Sequence, residues 1–211
     1  MAIASINDDT LIRSIPTSNG RRQCSPMNSN PSLHMLVYAS LMAALTAVGA
    51  FLSIPIGPVP IVLQNLFVLL TGLLLSRRWA LASMAIYLLA GTCGLPVFAG
   101  GTGGIGKLIG PTGGYLLGYL PAVYLIAMVS EKKAGRVVYD VLAMVGASLI
   151  IYAFGVSWLK TITAMPWSKA LTVGMVPFLI GDALKIAAAV PIAKALRPIM
   201  RHGAIRSQAA V

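Results

Sequence analysis

Six apolar stretches, at residues 34–52, 61–76, 79–93, 113–130, 137–158 and 171–196, take up most of this chain of 211 residues and leave almost nothing for a soluble domain. Segments this long and this apolar suit the hydrocarbon of a bilayer, where every backbone N–H and C=O must be satisfied inside the protein. Helices meet that demand one segment at a time. The expected fold class is therefore an all-α integral membrane protein, one bundle of six transmembrane helices. Composition agrees, with 57% hydrophobic and only 10% charged residues.

The net charge of +11 would suggest nucleic acid as a partner in a soluble protein, but the basic residues sort by side. With the N-terminus cytoplasmic, the inner surfaces hold Arg13, Arg21, Arg22, Arg77, Arg78, Lys132, Lys133, Arg136, Lys194, Arg197, Arg201 and Arg206. Outside lie Lys107, Lys160 and Lys169, and Lys185 alone falls within a span. An even number of spans with both termini inside accounts for the whole set. Trp79, Tyr115, Tyr119, Trp158 and Trp167 fall near span ends and read as an interfacial aromatic belt.

Residues 1–33 are rich in Ser, Asn and Pro without an apolar core and read as a disordered polar cytoplasmic tail, with no cleaved signal peptide. Residues 34–200 form the transmembrane domain, and residues 201–211 a short basic C-terminal tail. The second and third spans, about fifteen residues each, fall short of the roughly twenty that a straight crossing needs. Two irregular segments flank them. Residues 54–61 carry three prolines and favour an extended conformation, and residues 94–115 form a glycine-dense loop punctuated by Phe98, Ile105, Leu108 and Ile109. Irregular backbone at membrane depth is tolerated where it is buried in protein or lines a cavity. Both segments lie on the outer side by the charge pattern, where a lid over an external pocket belongs.

Asp182 and Lys185 place a carboxylate and an amine in the last apolar stretch. A charge at bilayer depth costs roughly 2.5–3.5 kcal/mol on insertion scales, so such a pair calls for a reason. At i, i+3 both project from one helix face, where they either neutralise each other or jointly hold a polar guest. Asp140, four residues after Arg136, reads as half of a structural ion pair with it.

Enzymatic chemistry finds little footing. The five acidic residues are Asp8, Asp9, Glu131, Asp140 and Asp182, and the two histidines, His34 and His202, stand near cytoplasmic span ends. No nucleophile, base and orienting acid converge, and no metal-ligand spacing is present, Cys24 and Cys93 included. Residues 101–107, Gly-Thr-Gly-Gly-Ile-Gly-Lys, imitate a phosphate-binding loop, but Leu108 stands where Ser or Thr should bind magnesium and no strand precedes them. Catalytic residues, metal and cofactor are all expected to be absent.

Three segments carry a specific resemblance: Pro-Ile-Gly-Pro-Val-Pro-Ile-Val-Leu-Gln-Asn at 55–65, Gly-Leu-Pro-Val-Phe-Ala-Gly-Gly through Gly-Pro-Thr-Gly-Gly-Tyr-Leu-Leu-Gly at 94–118, and Gly-Asp-Ala-Leu-Lys at 181–185. In these the chain resembles the biotin-specific substrate-binding (S) components, the BioY family, of energy-coupling factor (ECF) transporters. The resemblance spans roughly residues 34–200. It implies a six-helix S-component bundle with an outward-opening pocket, biotin as the transported ligand, and residence in the bacterial cytoplasmic membrane. Biotin carries a cyclic urea with N–H donors and a polarised carbonyl, so Asp182 can accept from a ureido N–H while Lys185 donates to the ureido oxygen.

Further candidate ligand-binding residues are Gln64, Asn65, Phe98, Thr102, Gly103, Gly104, Thr112, Gly113 and Tyr115. For Gln64 or Asn65 the alternative role is as a cap for the second span after Pro60. Lys107 is the tempting partner for the biotin carboxylate, with a solvated loop lysine as the alternative. Ala39, Ala43 and Ala47 form a small-residue stripe on the first span, suited to internal packing or to close approach of another helix. The resemblance implies docking there of an ECF transmembrane scaffold protein, energised by two ABC ATPases, with the bilayer as the remaining partner and no nucleic acid. The rival reading is a stand-alone or ion-coupled secondary carrier for a small carboxylate-containing solute.

Overall fold

The structure, a computed structural model, describes residues 31–54, 59–133 and 135–208. The expectations for residues 1–30, with Arg13, Arg21, Arg22 and Cys24, and for Pro55 to Pro58, lie outside the described residues. The described chain is helical: α1 (Pro31–Phe51), α2 (Gln64–Leu74), α3 (Arg77–Thr92), α4 (Ile105–Ile109), α5 (Gly113–Lys132), α6 (Val137–Thr163), α7 (Trp167–Gly174) and α8 (Val176–Gln208). A two-stranded antiparallel hairpin, β1 (Ser53–Ile54) and β2 (Ile61–Val62), pairs Ser53 with Val62 and Ile54 with Ile61 between α1 and α2.

Four segments, Leu33–Phe51, Gly113–Lys132, Val137–Thr163 and Trp167–Pro198, are long and apolar enough to cross a membrane. Their outward faces are as apolar as their inward ones. Leu142 and Leu149 on α6 and Ile180 and Leu184 on α8 are exposed, Ile180 to 79%, which suits lipid and not water. The 11 residues of α2 span only about 16 Å, at 1.5 Å per residue. The hairpin and the loop after α3 fill the rest of that end of the bundle.

The apolar stretch 171–196 is not one helix. It breaks at Met175 (φ −131°, ψ −51°), and Pro177 then sits in the first turn of α8, where its missing N–H costs nothing. At its other end α8 continues to Gln208.

Helices α5 and α6 pack closely because α5 offers glycine at the contact. A Cβ on Gly114 would collide with Trp158 and stand 2.6 Å from the Phe154 carbonyl oxygen, and one on Gly118 would stand 3.2 Å from Ile151 Cα. The two glycines, four apart, form the small-xxx-small pattern of close helix crossings in membranes. Gly155 on α6 does the reverse, receiving the ring of Tyr115. Around this seam the core gathers Val68 and Leu69 of α2, Met84 and Tyr87 of α3, Ile126 of α5, Met144 of α6 and Ala189 of α8.

The two ends of the bundle differ in polarity. At one end Arg77 bonds Glu131 at 2.6 Å, and Arg197 of α8 forks onto Asp140 of α6 at 2.7 and 2.9 Å. Arg197 also donates to Ser130 Oγ at 2.9 Å, and Ser130 donates to the Leu73 carbonyl at 3.1 Å. This corrects the expected Asp140–Arg136 pair. Arg136 contributes its backbone carbonyl to Asp140 N as the helix begins, while the carboxylate turns inward and meets a cation 57 residues away. The local i, i+4 pairing on an exposed face loses to a bidentate partner in a buried one.

At the opposite end the glycine-dense loop folds back over α1 and α3. Gly100 N donates to Ala50 O at 3.3 Å, Gly104 N to Gly91 O at 2.7 Å, and Phe98 and Thr102 pair across a tight turn. Gly100 and Gly101, with φ of 75° and 68°, supply the left-handed backbone that the turn requires. The loop is thereby a fitted cover and not a loose linker.

Candidate functional site

Asp182 and Lys185 lie on one turn of α8, both buried, with Lys185 Nζ 2.9 Å from Asp182 Oδ1. The other carboxylate oxygen accepts a short hydrogen bond from the Tyr152 hydroxyl of α6, and Asn65 Nδ2 of α2 stands 3.5 Å away. Asn65 Oδ1 in turn accepts from the Tyr119 hydroxyl of α5 at 2.9 Å. Helices α8, α6 and α2 thus meet at one carboxylate, and α5 is joined to it through Asn65. A buried charge is tolerable only when paired and hydrogen-bonded, and here one ammonium, one phenol and one amide share that work.

Beside this network opens a cavity of about 510 Å³, within the range of small-molecule sites. Val59, Pro60 and Val62 of the hairpin region line it, with Phe98, Ala99 and Gly103 of the loop. Gly106 and Lys107 of α4, the Gly110–Thr112 turn, and Tyr115, Leu116 and Tyr119 of α5 complete the wall with Gln64. Tyr119 belongs to both structures: it lines the cavity and its hydroxyl holds Asn65.

The sequence-predicted residues divide accordingly. Gln64, Phe98, Gly103, Thr112 and Tyr115 line the cavity, as does Lys107. Asn65, Asp182 and Lys185 are not among the lining residues and form the network behind Tyr119. Thr102, Gly104 and Gly113 shape the loop and the start of α5: Thr102 Oγ1 donates to Ala99 O at 3.0 Å, and a Cβ on Gly113 would collide with the Leu108 carbonyl. Neither Gln64 nor Asn65 caps α2, whose N-cap position is Leu63 without a side-chain bond.

Phe98 is 2% exposed, seated on Gly91 and edge-on to Tyr87 at 5.7 Å between centroids. Tyr115 donates to the Gly174 carbonyl at 2.7 Å, tying the cavity wall to the break between α7 and α8. Tyr115 and Tyr119 are therefore buried, not interfacial. Their i, i+4 spacing on α5 was the available signal for an inward polar face, and Tyr152 on α6 carried no such signal.

The alanine stripe also turns inward. Ala39 and Ala43 are buried and Ala47 packs against the same core, while Leu36, Val37, Leu41 and Val48 form the exposed face of α1.

A profile of the BioY family matches residues 23–202. The chain is 40% identical to the biotin transporter BioY of Thermotoga maritima over 167 residues, covering 79% of this chain and 98% of the relative. It is also 40% identical to a probable biotin transporter BioY of Pyrococcus horikoshii, covering 75% and 93%. Among solved structures it matches the 2.1 Å crystal structure of the S-component for biotin from an ECF-type ABC transporter, with a TM-score of 0.76, 30% identity, and coverage of 82% and 95%. With the same helical scaffold and nearly the full length of these relatives shared, this chain belongs to the BioY family.

Proposed function

We infer that this protein captures biotin from the outer side of the cytoplasmic membrane and carries it across as the substrate-specific component of an ECF-type transporter. The observation that carries the reading is the cavity itself. It is largely apolar, of small-molecule size, roofed by a fitted loop and backed by a buried carboxylate–ammonium pair, in a chain 40% identical to a biotin transporter along almost its whole length.

In this reading α1, α2, α3, α5, α6 and α8 are six spans with both termini inside, and the loop end of the bundle faces outward. The sulfur-containing ring and the aliphatic chain of biotin lie against Phe98, Leu116 and the hairpin valines. The ureido group points toward Tyr119, Asn65 and the Asp182–Lys185 pair. The weak 3.5 Å contact of Asn65 with Asp182 is the one that yields to a ureido N–H. No catalytic group, metal or cofactor has a part; energy comes from two ABC ATPases acting through a transmembrane scaffold, and the bundle reorients in the membrane to release its ligand inside. The names shared by the relatives favour this over an ion-coupled carrier.

Stoichiometric binding of labelled biotin to the purified protein in detergent tests the reading. Absence of saturable binding would overturn it.

A further inference from the structure

A second cavity, of about 540 Å³, opens at the end of the bundle away from the glycine-dense loop, between the start of α3 and the last turns of α5. Ser76, Arg77, Arg78, Leu81, Tyr124 and Glu131 line it, and none of them lines the first cavity. The two arginines are not equivalent. Arg77 is committed: its Nε bonds Glu131 Oε2 at 2.6 Å and its backbone N–H donates to Glu131 Oε1 at 2.8 Å. Arg78 is exposed, and the salt bridges among the described residues, Arg77–Glu131, Lys185–Asp182 and Arg197–Asp140, leave it without a carboxylate. The lining carries two cations against one anion, and the surplus is the Arg78 guanidinium.

Below the arginines the walls turn apolar and run into the spans. Leu81 lies one turn into α3 from Arg77. Tyr124 lies two turns before Glu131 on the same face of α5, about 10 Å away at 1.5 Å per residue. Tyr124 is exposed, so this wall reaches the outer face of the bundle, where lipid lies. A guanidinium at such a rim suits a phosphate, which it grips with paired N–H donors. A water-soluble anion would use that rim alone, whereas a phospholipid also has a glycerol ester and acyl chains to set against Leu81 and Tyr124. An acidic protein segment would match the charge but not the apolar wall that continues along the spans.

We propose that this cavity is a binding site for an anionic phospholipid, with the phosphate on Arg78 and the acyl chains against Leu81 and Tyr124. Glu131 narrows the choice of headgroup. Its carboxylate repels a second negative charge but accepts from a hydroxyl, so a singly charged headgroup with free hydroxyls, as in phosphatidylglycerol, fits best. A lipid seated there bridges α3 and α5 at the end where Arg77 and Glu131 already join them. The site depends on the bundle lying in a bilayer and is independent of the ligand bound at the other end.

Native mass spectrometry of the full-length protein in detergent, titrated with dioleoyl phosphatidylglycerol and dioleoyl phosphatidylcholine in equal amounts, reads the preference directly. The wild-type protein should retain phosphatidylglycerol about fivefold over phosphatidylcholine, the ratio that corresponds to roughly 1 kcal/mol for one basic side chain near a membrane surface. Arg78→Gln should abolish the preference. Lys132→Gln, which removes the same charge from the exposed end of α5 outside the lining, should keep it. Glu131→Gln should raise it, because it removes the carboxylate and frees Arg77. A melting transition measured without added lipid reports folding of each variant. Absence of a preference in the wild-type protein would overturn the proposal and leave the pocket to an acidic partner segment. Equal losses in Arg78→Gln and Lys132→Gln would overturn it in favour of diffuse surface attraction, and so would a Glu131→Gln preference that does not rise. Displacement of phosphatidylglycerol by soluble glycerol phosphate would overturn the lipid as occupant in favour of a free phosphate.

Discussion

The Tyr119 hydroxyl donates to Asn65 Oδ1 at 2.9 Å, and this bond joins the wall of the cavity to the carboxylate of Asp182. Tyr119 is 3% exposed, so its hydroxyl has no ready exchange with water. Tyr119→Phe keeps the ring and removes the bond, leaving Asn65 free to turn. A net loss of about 0.5–1.5 kcal/mol is expected, or roughly a twofold to tenfold fall in biotin affinity. Calorimetric titration of the variant checks it, and unchanged affinity would detach the network from the ligand.

Asp182→Asn and Lys185→Met should each weaken biotin binding at least tenfold, since each removes a charged hydrogen bond worth roughly 1.5–3 kcal/mol. Each single change also strands a buried charge, which costs about 3–5 kcal/mol of stability when a pair is broken. The double variant removes both charges and should recover much of the melting temperature without recovering affinity. Recovery of both would mark the pair as purely structural.

Arg197→Met leaves Asp140 buried opposite an apolar group and withdraws a donor from Ser130. Stability should fall by about 3–5 kcal/mol, and adding Asp140→Asn should return part of it. This cluster lies at the end of the bundle away from the cavity, so biotin affinity of the folded fraction should not change. Thermal unfolding in detergent, with and without biotin, separates the two effects.

Ala43→Leu forces volume into a filled core and should cost about 1–3 kcal/mol, lowering melting temperature and binding together. Ala44→Leu, one position on and exposed, should leave both intact. A variant at Ala43 that folds and binds normally yet fails in ATP-dependent uptake with coupling subunits would instead show the stripe to be a docking surface.

Single cysteines at Lys133 and Lys169, with Cys24 and Cys93 replaced by Ser, report sidedness. In intact cells an impermeant maleimide should label only Lys169→Cys. Labelling at Lys133→Cys alone would put the cavity's loop on the cytoplasmic side and end the case for external capture.

The class of this protein followed from the sequence because burial in a bilayer is a matter of composition and segment length, both local quantities. The charged pair on α8 was equally legible, since i, i+3 spacing fixes a shared face wherever the helix lies. The loop's role near the site showed in its glycines and its motif. Which side chains meet was another matter. Asp140 chose Arg197 over Arg136, Asn65 became a bridge and not a cap, and Ala39 and Ala43 faced the core, because each outcome depends on how helices distant in sequence are rotated against one another. Helical periodicity places residues on a face but does not say which neighbour that face meets. The cavity exists only once the hairpin, the loop and α5 close around the same space, and that closure is a property of tertiary packing alone.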